Sequence, residues 1–242
     1  MRAVEMQMQD PSVDGLIQES AVYNRLLPLD GAHIIELGCG PALHTRAIAE
    51  SGRPATILAC EVDTLQHEKN LAITDLLPTV RFCHAGAQAI PAEDGSADIV
   101  MMFKSLHHVP LDLMDSAMQE IHRVLKPGGL AYISEPVYAG DFNEVLRLFH
   151  DEKAVREAAF ATVRTAVEKG VLELVGQHFF NTPNNFADFA EFERRIIGVT
   201  HTEHHLSPKL LHTVREKFAS FMGPQGAHFV MPIRVDLLRR PL

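Results

Sequence analysis

Residues 33–43 read His33-Ile34-Ile35-Glu36-Leu37-Gly38-Cys39-Gly40-Pro41-Ala42-Leu43, and the rest of the chain can be placed around them. The apolar run has the length of a buried strand, and two glycines stop it. Pro41 suits the first turn of a helix, which Leu43 and Ile48 continue and Gly52 ends. A strand, a glycine turn and a helix together place free backbone N–H groups and a positive helix end beside a ligand.

The identity of that ligand depends on two residues in the motif. The dinucleotide fingerprint G-x-G-x-x-G needs a third glycine, and Leu43 occupies that position here. Glu36, two residues before the first glycine, would repel a pyrophosphate but attract an ammonium group. A nicotinamide-dependent oxidoreductase is therefore disfavoured.

The composition indicates a folded, acidic protein. The 242 residues are 46% hydrophobic and 22% charged, with a net charge of −9, and runs of adjacent basic residues are no longer than the pair Arg239-Arg240. Nonspecific nucleic-acid binding is therefore not expected. The chain contains no apolar run of about 18 or more residues, so no membrane span is expected, and residues 1–10 lack the apolar core of a signal peptide. Cys39, Cys60 and Cys83 form no Cys-x-x-Cys pair, which favours reduced thiols in a cytoplasm.

An acidic residue follows the second predicted strand, residues 55–60. Glu61 lies about 20 residues beyond the glycine turn, at a strand end where a carboxylate can accept both hydroxyl groups of a ribose. Asp63 is the alternative, although it could instead cap the next helix. Further strands are predicted at residues 80–84, 99–103, 130–136 and 227–238.

Three motifs occur in order along the chain: Glu36-Leu37-Gly38-Cys39-Gly40, Leu106-His107-His108-Val109, and Arg123-Val124-Leu125-Lys126-Pro127-Gly128-Gly129. Over residues 30–136 the chain resembles the class I methyltransferases that depend on S-adenosylmethionine (SAM). The resemblance is to their type 11 small-molecule group, which includes quinone-biosynthesis enzymes.

The resemblance implies an α/β, Rossmann-like sheet of seven mostly parallel strands with an antiparallel last strand and helices on both faces. It places the SAM-binding core in residues 1–136, including a lead-in helix that apolar spacing predicts over residues 11–27. Residues 137–227 would be a helical insertion after strand five that caps the acceptor, with one helix predicted over residues 186–197, and residues 228–242 would supply the terminal strand.

The cofactor implied by the resemblance is SAM, which leaves as S-adenosylhomocysteine. Many family members have an aspartate that binds the adenine amino group where this chain has Ala87, and either the side-chain oxygen of Gln88 or a backbone carbonyl could replace it. The expected cofactor contacts are Glu36, Gly38, Cys39, Gly40, Glu61, Val62, Ala87, Gln88, Phe103 and Lys104.

Methyl transfer mainly requires that the acceptor be held in line with the activated methyl group, so a general base is optional. Lys104, His108 and Tyr138 are the candidates for contacting the acceptor, although a structural role is the commoner one for either histidine of the pair at 107–108. Residues 201–205, His-Thr-Glu-His-His, are interpreted as a solvated turn, and no metal site is expected.

The resemblance predicts a cytoplasmic enzyme, monomeric or homodimeric, that methylates a small-molecule acceptor. The chain lacks the Asn/Asp-Pro-Pro-Tyr signature of enzymes that methylate amino groups of nucleic acids. The alternative is a catalytically silent SAM-binding regulatory protein, which the departure at Ala87 supports.

Overall fold

The structure is a computed structural model that describes residues 6–13, 15–200, 202 and 204–242. Its strands are β1 (His33–Leu37), β2 (Thr56–Glu61), β3 (Val80–His84), β4 (Ala97–Phe103), β5 (Leu125–Pro136), β6 (Glu173–Phe186), β7 (Met222–Gly223) and β8 (Gly226–Arg239). Its α-helices are α1 (Glu19–Leu26), α2 (Leu43–Glu50), α3 (Thr64–Leu71), α4 (Met114–Val124), α5 (Asp141–Leu146), α6 (Lys153–Glu168), α7 (Phe189–Phe192) and α8 (Pro208–Ala219).

The strands form one sheet in the order β3-β2-β1-β4-β5-β8-β6, and the two-residue β7 pairs with β8. Strands β1 to β5 pair in parallel, whereas β8 pairs antiparallel with both β5 and β6. The predicted mostly parallel sheet with an antiparallel last strand is therefore confirmed. The order reverses between β1 and β4, and in such sheets ligands bind at the carboxyl ends of the strands flanking that reversal.

Helices cover both faces of the sheet, and their apolar residues recur at helical spacing. On one face, α4 buries Met118 and Ile121 and α6 buries Val163 against the sheet. On the other face, α1 and α2 bury Val22 and Ile48. Each helix thus presents one apolar stripe to the sheet, which is the arrangement that removes most apolar area from water.

A third core lies outside these two layers. It is a cluster of phenylalanines contributed by α5, β6, α7, α8 and β8, and we call it the phenylalanine cluster: Phe142, Phe186, Phe192, Phe218 and Phe229. The rings pack mainly edge to face, with centroids 5.1 to 6.4 Å apart. The chain beyond β5 therefore has a core of its own.

The expectation that residues 137–227 are purely helical is wrong, because β6 lies within that segment. This 14-residue strand pairs with β8 along its length. It contains Gly176, Pro183 and three asparagines, which have low strand propensity, so its structure depends on the distant partner strand. A single helix over residues 186–197 is also wrong: α7 has four residues, and a π-helical turn, Glu193–Ile197, follows it.

Two predicted helix starts also differ from the structure. The lead-in helix, expected over residues 11–27, is confined to α1, and α2 begins at Leu43 rather than at Pro41. Among the described residues, no helix combines the length and apolar character needed to cross a bilayer.

Candidate functional site

The glycine turn after β1 has two glycines with different surroundings. A Cβ on Gly38 (φ +71°) would lie 2.6 Å from the Cβ of Ser105, so packing excludes a side chain there. A Cβ on Gly40 (φ +51°) would meet nothing within 4 Å. Ala42, which precedes α2, has a φ of +57°, a conformation that costs a non-glycine residue roughly 1–2 kcal/mol. Open space therefore lies over Gly40, where a ligand can approach the main chain.

The buried carboxylate of Glu61 binds this turn. It accepts the N–H of Gly40 at 2.7 Å, and it also accepts the N–H groups of Val62 and Asp63 at 2.8 and 2.9 Å. Asp63 instead caps α3, because its carboxylate accepts two N–H groups of the first turn. Of the two acids considered from the sequence, Glu61 is therefore the one beside the glycine turn.

The turn is also held by a residue that the sequence analysis missed. The side-chain amide of Asn70, on α3, donates to the carbonyl of Gly40 at 2.8 Å and lies 3.5 Å from the sulfur of Cys39. Burial raises the pKa of the Cys39 thiol far above its usual value, so it stays protonated. All three cysteines are free.

Glu36 points into the protein at the end of β1 and is 2% exposed. Burial raises the pKa of its carboxyl from 4.5 to about 7, although the hydroxyl of Thr45, which donates at 2.6 Å, and the charge of Lys104 both lower it. A cationic group near Glu36 would favour its charged form.

Helix α1 contributes a second buried acid that the sequence analysis did not identify. Glu19 lies 3.1 Å from the ammonium of Lys104 and accepts a hydrogen bond from the hydroxyl of Ser134. Lys104 directly follows β4 with a φ of +55°, and its N–H donates to the Ser134 carbonyl at 2.7 Å. The predicted Lys104 is therefore part of an ion pair at the carboxyl ends of β4 and β5.

We call the space bounded by Gly40, Glu61, Glu36, Glu19 and Lys104 the acidic cleft. It has three carboxylates and one ammonium group, so negative charge is in excess even with Glu36 half protonated at neutral pH. Nearby, burial and the charge of Lys104 lower the pKa of His44 to about 4, so this imidazole adds no positive charge. The cleft therefore favours a cationic ligand.

Aromatic rings line one side of the acidic cleft. Phe103 stacks on His44, with centroids 4.0 Å apart, and Tyr23 meets Phe103 edge-on at 5.7 Å. Tyr23 and Phe103 are both buried. The buried rings place apolar surface beside the buried carboxylate of Glu19, which strengthens its electrostatic interactions.

The residues predicted to contact adenine differ in how exposed their side chains are. Val62 is 60% exposed at the end of β2, whereas the Ala87 side chain is buried in the core, which leaves only its backbone available to a ligand. Gln88 is half-buried, with its amide folded against Gly86. The adenine contact stays a prediction.

The histidine pair after β4 is divided between core and surface. His107 is buried, and its Nδ1 lies 2.5 Å from Glu135 at the end of β5, whereas its Nε2 lies 3.6 Å from Glu152. Burial disfavours the imidazolium, but the two carboxylates outweigh it and raise the pKa of His107 to about 9. His108 is exposed, with its ring centroid 4.1 Å from that of His107.

Tyr138 and the start of α6 complete this region. Hydrogen bonds from the N–H of Lys153 and from Tyr138 lower the pKa of Asp151. Next to Asp151, the carboxylate of Glu152 is bound by Arg156 at 2.5 Å. Tyr138 therefore lies on the same side as His108. A separate cavity of about 790 Å³ opens at the amino ends of β1 and β2 and is lined by none of the residues predicted for the site.

Comparison with known proteins finds relatives for the segment that contains β1 to β5. Residues 35–133 match the model of a family described as a methyltransferase domain. The chain is 32% identical over 106 residues to a demethylmenaquinone methyltransferase of Staphylococcus epidermidis, covering 43% of each protein. It is 30% identical over 119 residues to a sterol 4-C-methyltransferase of Caenorhabditis elegans, covering 48% of this chain and 34% of that protein. The chain thus spans less than half the length of these relatives.

Solved structures match over most of the chain. A crystal structure of a putative methyltransferase from Bacillus halodurans is 16% identical, with a TM-score of 0.64 over 92% of this chain and 98% of that one. The [4+2]-cyclase SpnF is 18% identical, with a TM-score of 0.58 over 92% and 79% of the two chains. These matches show that the chain has a Rossmann-like α/β fold.

Proposed function

We infer that this chain, in which residues 35–133 are a class I methyltransferase domain, binds SAM in the acidic cleft and transfers its methyl group to a small-molecule acceptor. The observation that carries this proposal is the open space over Gly40 beside the buried carboxylate of Glu61. Ligand space next to a turn without side chains, with an acid at the adjacent strand end, fits an adenosyl ligand.

The residues present fit SAM by charge as well as by shape. SAM supplies a methyl group that its sulfonium has already activated. The donor has one carboxylate but both an ammonium and a sulfonium, so it is a net cation, whereas S-adenosylhomocysteine has lost the sulfonium charge. The excess of carboxylates at Glu19, Glu36 and Glu61 would therefore favour the donor over the product.

Each acid has a distinct proposed role. Glu61 would accept the ribose hydroxyls while it keeps the N–H of Gly40 in place. Glu36 would face the ammonium group, whose charge would return its raised pKa toward the ordinary value. The roles of Val62, Gln88 and Phe103 in binding the adenosyl group remain proposals at this site.

On the acceptor side, the two histidines are suited to different tasks. His107 keeps its proton at neutral pH because its pKa is raised to about 9, so it does not serve as a base there. His108 is exposed at the same turn and is the histidine proposed to contact the acceptor. Lys104 is paired with Glu19, which favours a positioning role over free contact with an anionic acceptor. Tyr138 would border the acceptor.

A small-molecule acceptor is supported by the relatives, whose names specify a demethylmenaquinone and a sterol. Residues 137–227, with the phenylalanine cluster, are proposed to cap the acceptor. The likeness to a cyclase means that the fold alone does not establish methyl transfer. A catalytically silent SAM-binding protein is therefore the alternative that the experiment has to separate.

The test measures binding first and transfer second. Isothermal titration with SAM and with S-adenosylhomocysteine should give one site per chain. Radiolabelled methyl from SAM should then be transferred to a member of a panel of quinols, phenols and sterols. Absence of SAM binding at millimolar concentration would refute the proposal. Tight binding without transfer to any panel member would favour the silent alternative.

A further inference from the structure

Histidines and carboxylates converge beside β5, on the side of α6. His107, His108 and Glu152 each offer one ligand atom, and these atoms lie within 4.8 Å of one another. A third imidazole contacts the same carboxylate, because the Nε2 of His150 lies 3.0 Å from the Oε1 of Glu152. Two imidazole nitrogens, from His107 and His150, thus face one carboxylate oxygen.

The spacing suits a single metal ion. Nitrogen and oxygen ligands bind zinc at about 2.0–2.2 Å, so neighbouring ligand atoms on one ion lie roughly 3–4 Å apart. The distance from the Nε2 of His107 to the Oε1 of Glu152, 3.6 Å, falls in that range. The ligand atom of His108 lies within 4.8 Å of both.

The surrounding residues orient the ligand atoms. Glu135 lies 2.5 Å from the Nδ1 of His107 and also accepts the N–H of Leu106 at 2.9 Å, so the Nε2 of His107 is presented to Glu152. Arg156 binds the Oε2 of Glu152 at 2.5 and 3.1 Å, which leaves Oε1 turned to the two imidazoles. A carboxylate that fixes a histidine from behind is the usual outer partner of a metal-binding histidine.

We propose that His107, His108 and Glu152 bind one divalent transition-metal ion of the zinc class, and that His150 positions the carboxylate of Glu152. Imidazole and carboxylate ligands select zinc and neighbouring transition metals over calcium or magnesium. His108 is exposed, so the ion would lie near the surface. The proposal departs from the expectation, based on the sequence, that the chain has no metal site.

The test uses untagged protein stripped with a chelator. Zinc should bind with a stoichiometry of one per chain in isothermal titration, and cobalt should give visible absorption bands typical of nitrogen and oxygen ligands. His150→Gln and Glu152→Gln should each weaken zinc binding at least about tenfold, and Glu135→Gln, which acts through His107, by about 10- to 100-fold. The matched control is His212→Gln, since His212 lies 3.3 Å from Glu216 in an exposed pair elsewhere.

The outcomes separate this site from an ordinary buried ion network. The proposal is overturned if zinc binds no tighter than millimolar, or if His150→Gln leaves the zinc affinity unchanged while the stoichiometry stays at one. Equal loss in His212→Gln would indicate general surface histidine binding and also overturn it. His150 is partly exposed, so its replacement should preserve folding, which near-ultraviolet circular dichroism checks. SAM binding by His150→Gln should equal that of the wild type, so failure here leaves the methyltransferase proposal standing.

Discussion

Replacement of Glu61 by glutamine tests the acidic cleft most directly, because the two side chains have nearly the same shape. The carboxylate accepts the N–H groups of Gly40, Val62 and Asp63 in the ligand-free chain, and it is proposed to accept two ribose hydroxyls when SAM binds. Glutamine removes the charge and replaces one acceptor oxygen with a donor.

The expected magnitude follows from the change in hydrogen-bond type. Hydrogen bonds to charged groups contribute about 1.5–3 kcal/mol, against about 0.5–1.5 kcal/mol for neutral pairs. Weakening both ribose bonds therefore costs about 2–3 kcal/mol, or roughly 30- to 150-fold in SAM affinity. Isothermal titration at fixed pH measures the affinity, and urea unfolding reports how far the glycine turn itself is destabilised.

Asp63→Asn is the matched control, since it alters the neighbouring acid. Asparagine caps a helix about as well as aspartate, so α3 should be preserved. We expect the control to bind SAM within about threefold of the wild type, a margin below the loss predicted for Glu61→Gln. If Glu61→Gln binds SAM as the wild type does while Asp63→Asn loses affinity, the assignment of the ribose to Glu61 is wrong.

Three further changes probe other parts of the argument. Between pH 4.5 and about 7, the folded, ligand-free chain keeps a proton on Glu36 that the unfolded chain has released, so the stabilisation from Glu36 should fall as the pH rises through this range. The ratio of the SAM affinity of the wild type to that of Glu36→Gln should rise by up to about tenfold between pH 6 and 8. Gly38→Ala should lower the urea midpoint of unfolding more than Gly40→Ala does, because only a Cβ at position 38 would meet the Cβ of Ser105. Gly40→Ala should stay folded but lose SAM affinity. Phe192→Ala removes a fully buried ring and should lower the free energy of unfolding by about 3–5 kcal/mol in urea denaturation, and a loss below about 1 kcal/mol would contradict the phenylalanine cluster as a core.

The sequence predicted the strands and turn residues whose positions are determined by local sequence signals. Strands β1 to β5 are short apolar runs that end at turn residues, and Gly38, Gly40 and Glu61 lie at fixed distances from them, so their positions could be inferred without any partner. Strand β6 could not be inferred in this way. Its Pro183 and neighbouring asparagines oppose a strand, and only the pairing with β8 makes one.

Side chains that reach the site from distant parts of the chain were missed for the same reason. Glu19 is 85 residues from its partner Lys104, and Glu152 begins a helix in a region with no recognisable motif. A glutamate does not by itself indicate a buried position, since isolated acidic side chains are usually solvated. A polar pair at a strand end, Ser134-Glu135, is a signal in the sequence for partners at this edge, because Ser134 contacts Glu19 and Glu135 contacts His107.

That pair also explains how two charged regions can lie so close together. Successive residues of a strand point to opposite faces of the sheet, so Ser134 reaches Glu19 on the α1 side whereas Glu135 reaches His107 on the α6 side. The acidic cleft and the group formed by His107, His108 and Glu152 are therefore separated by the thickness of β5. The two sets of hydrogen bonds have no side chain in common. A cation can thus be favoured on one face by Glu19, while on the other face the proton of His107, or the ion proposed to replace it, is held by a different pair of carboxylates.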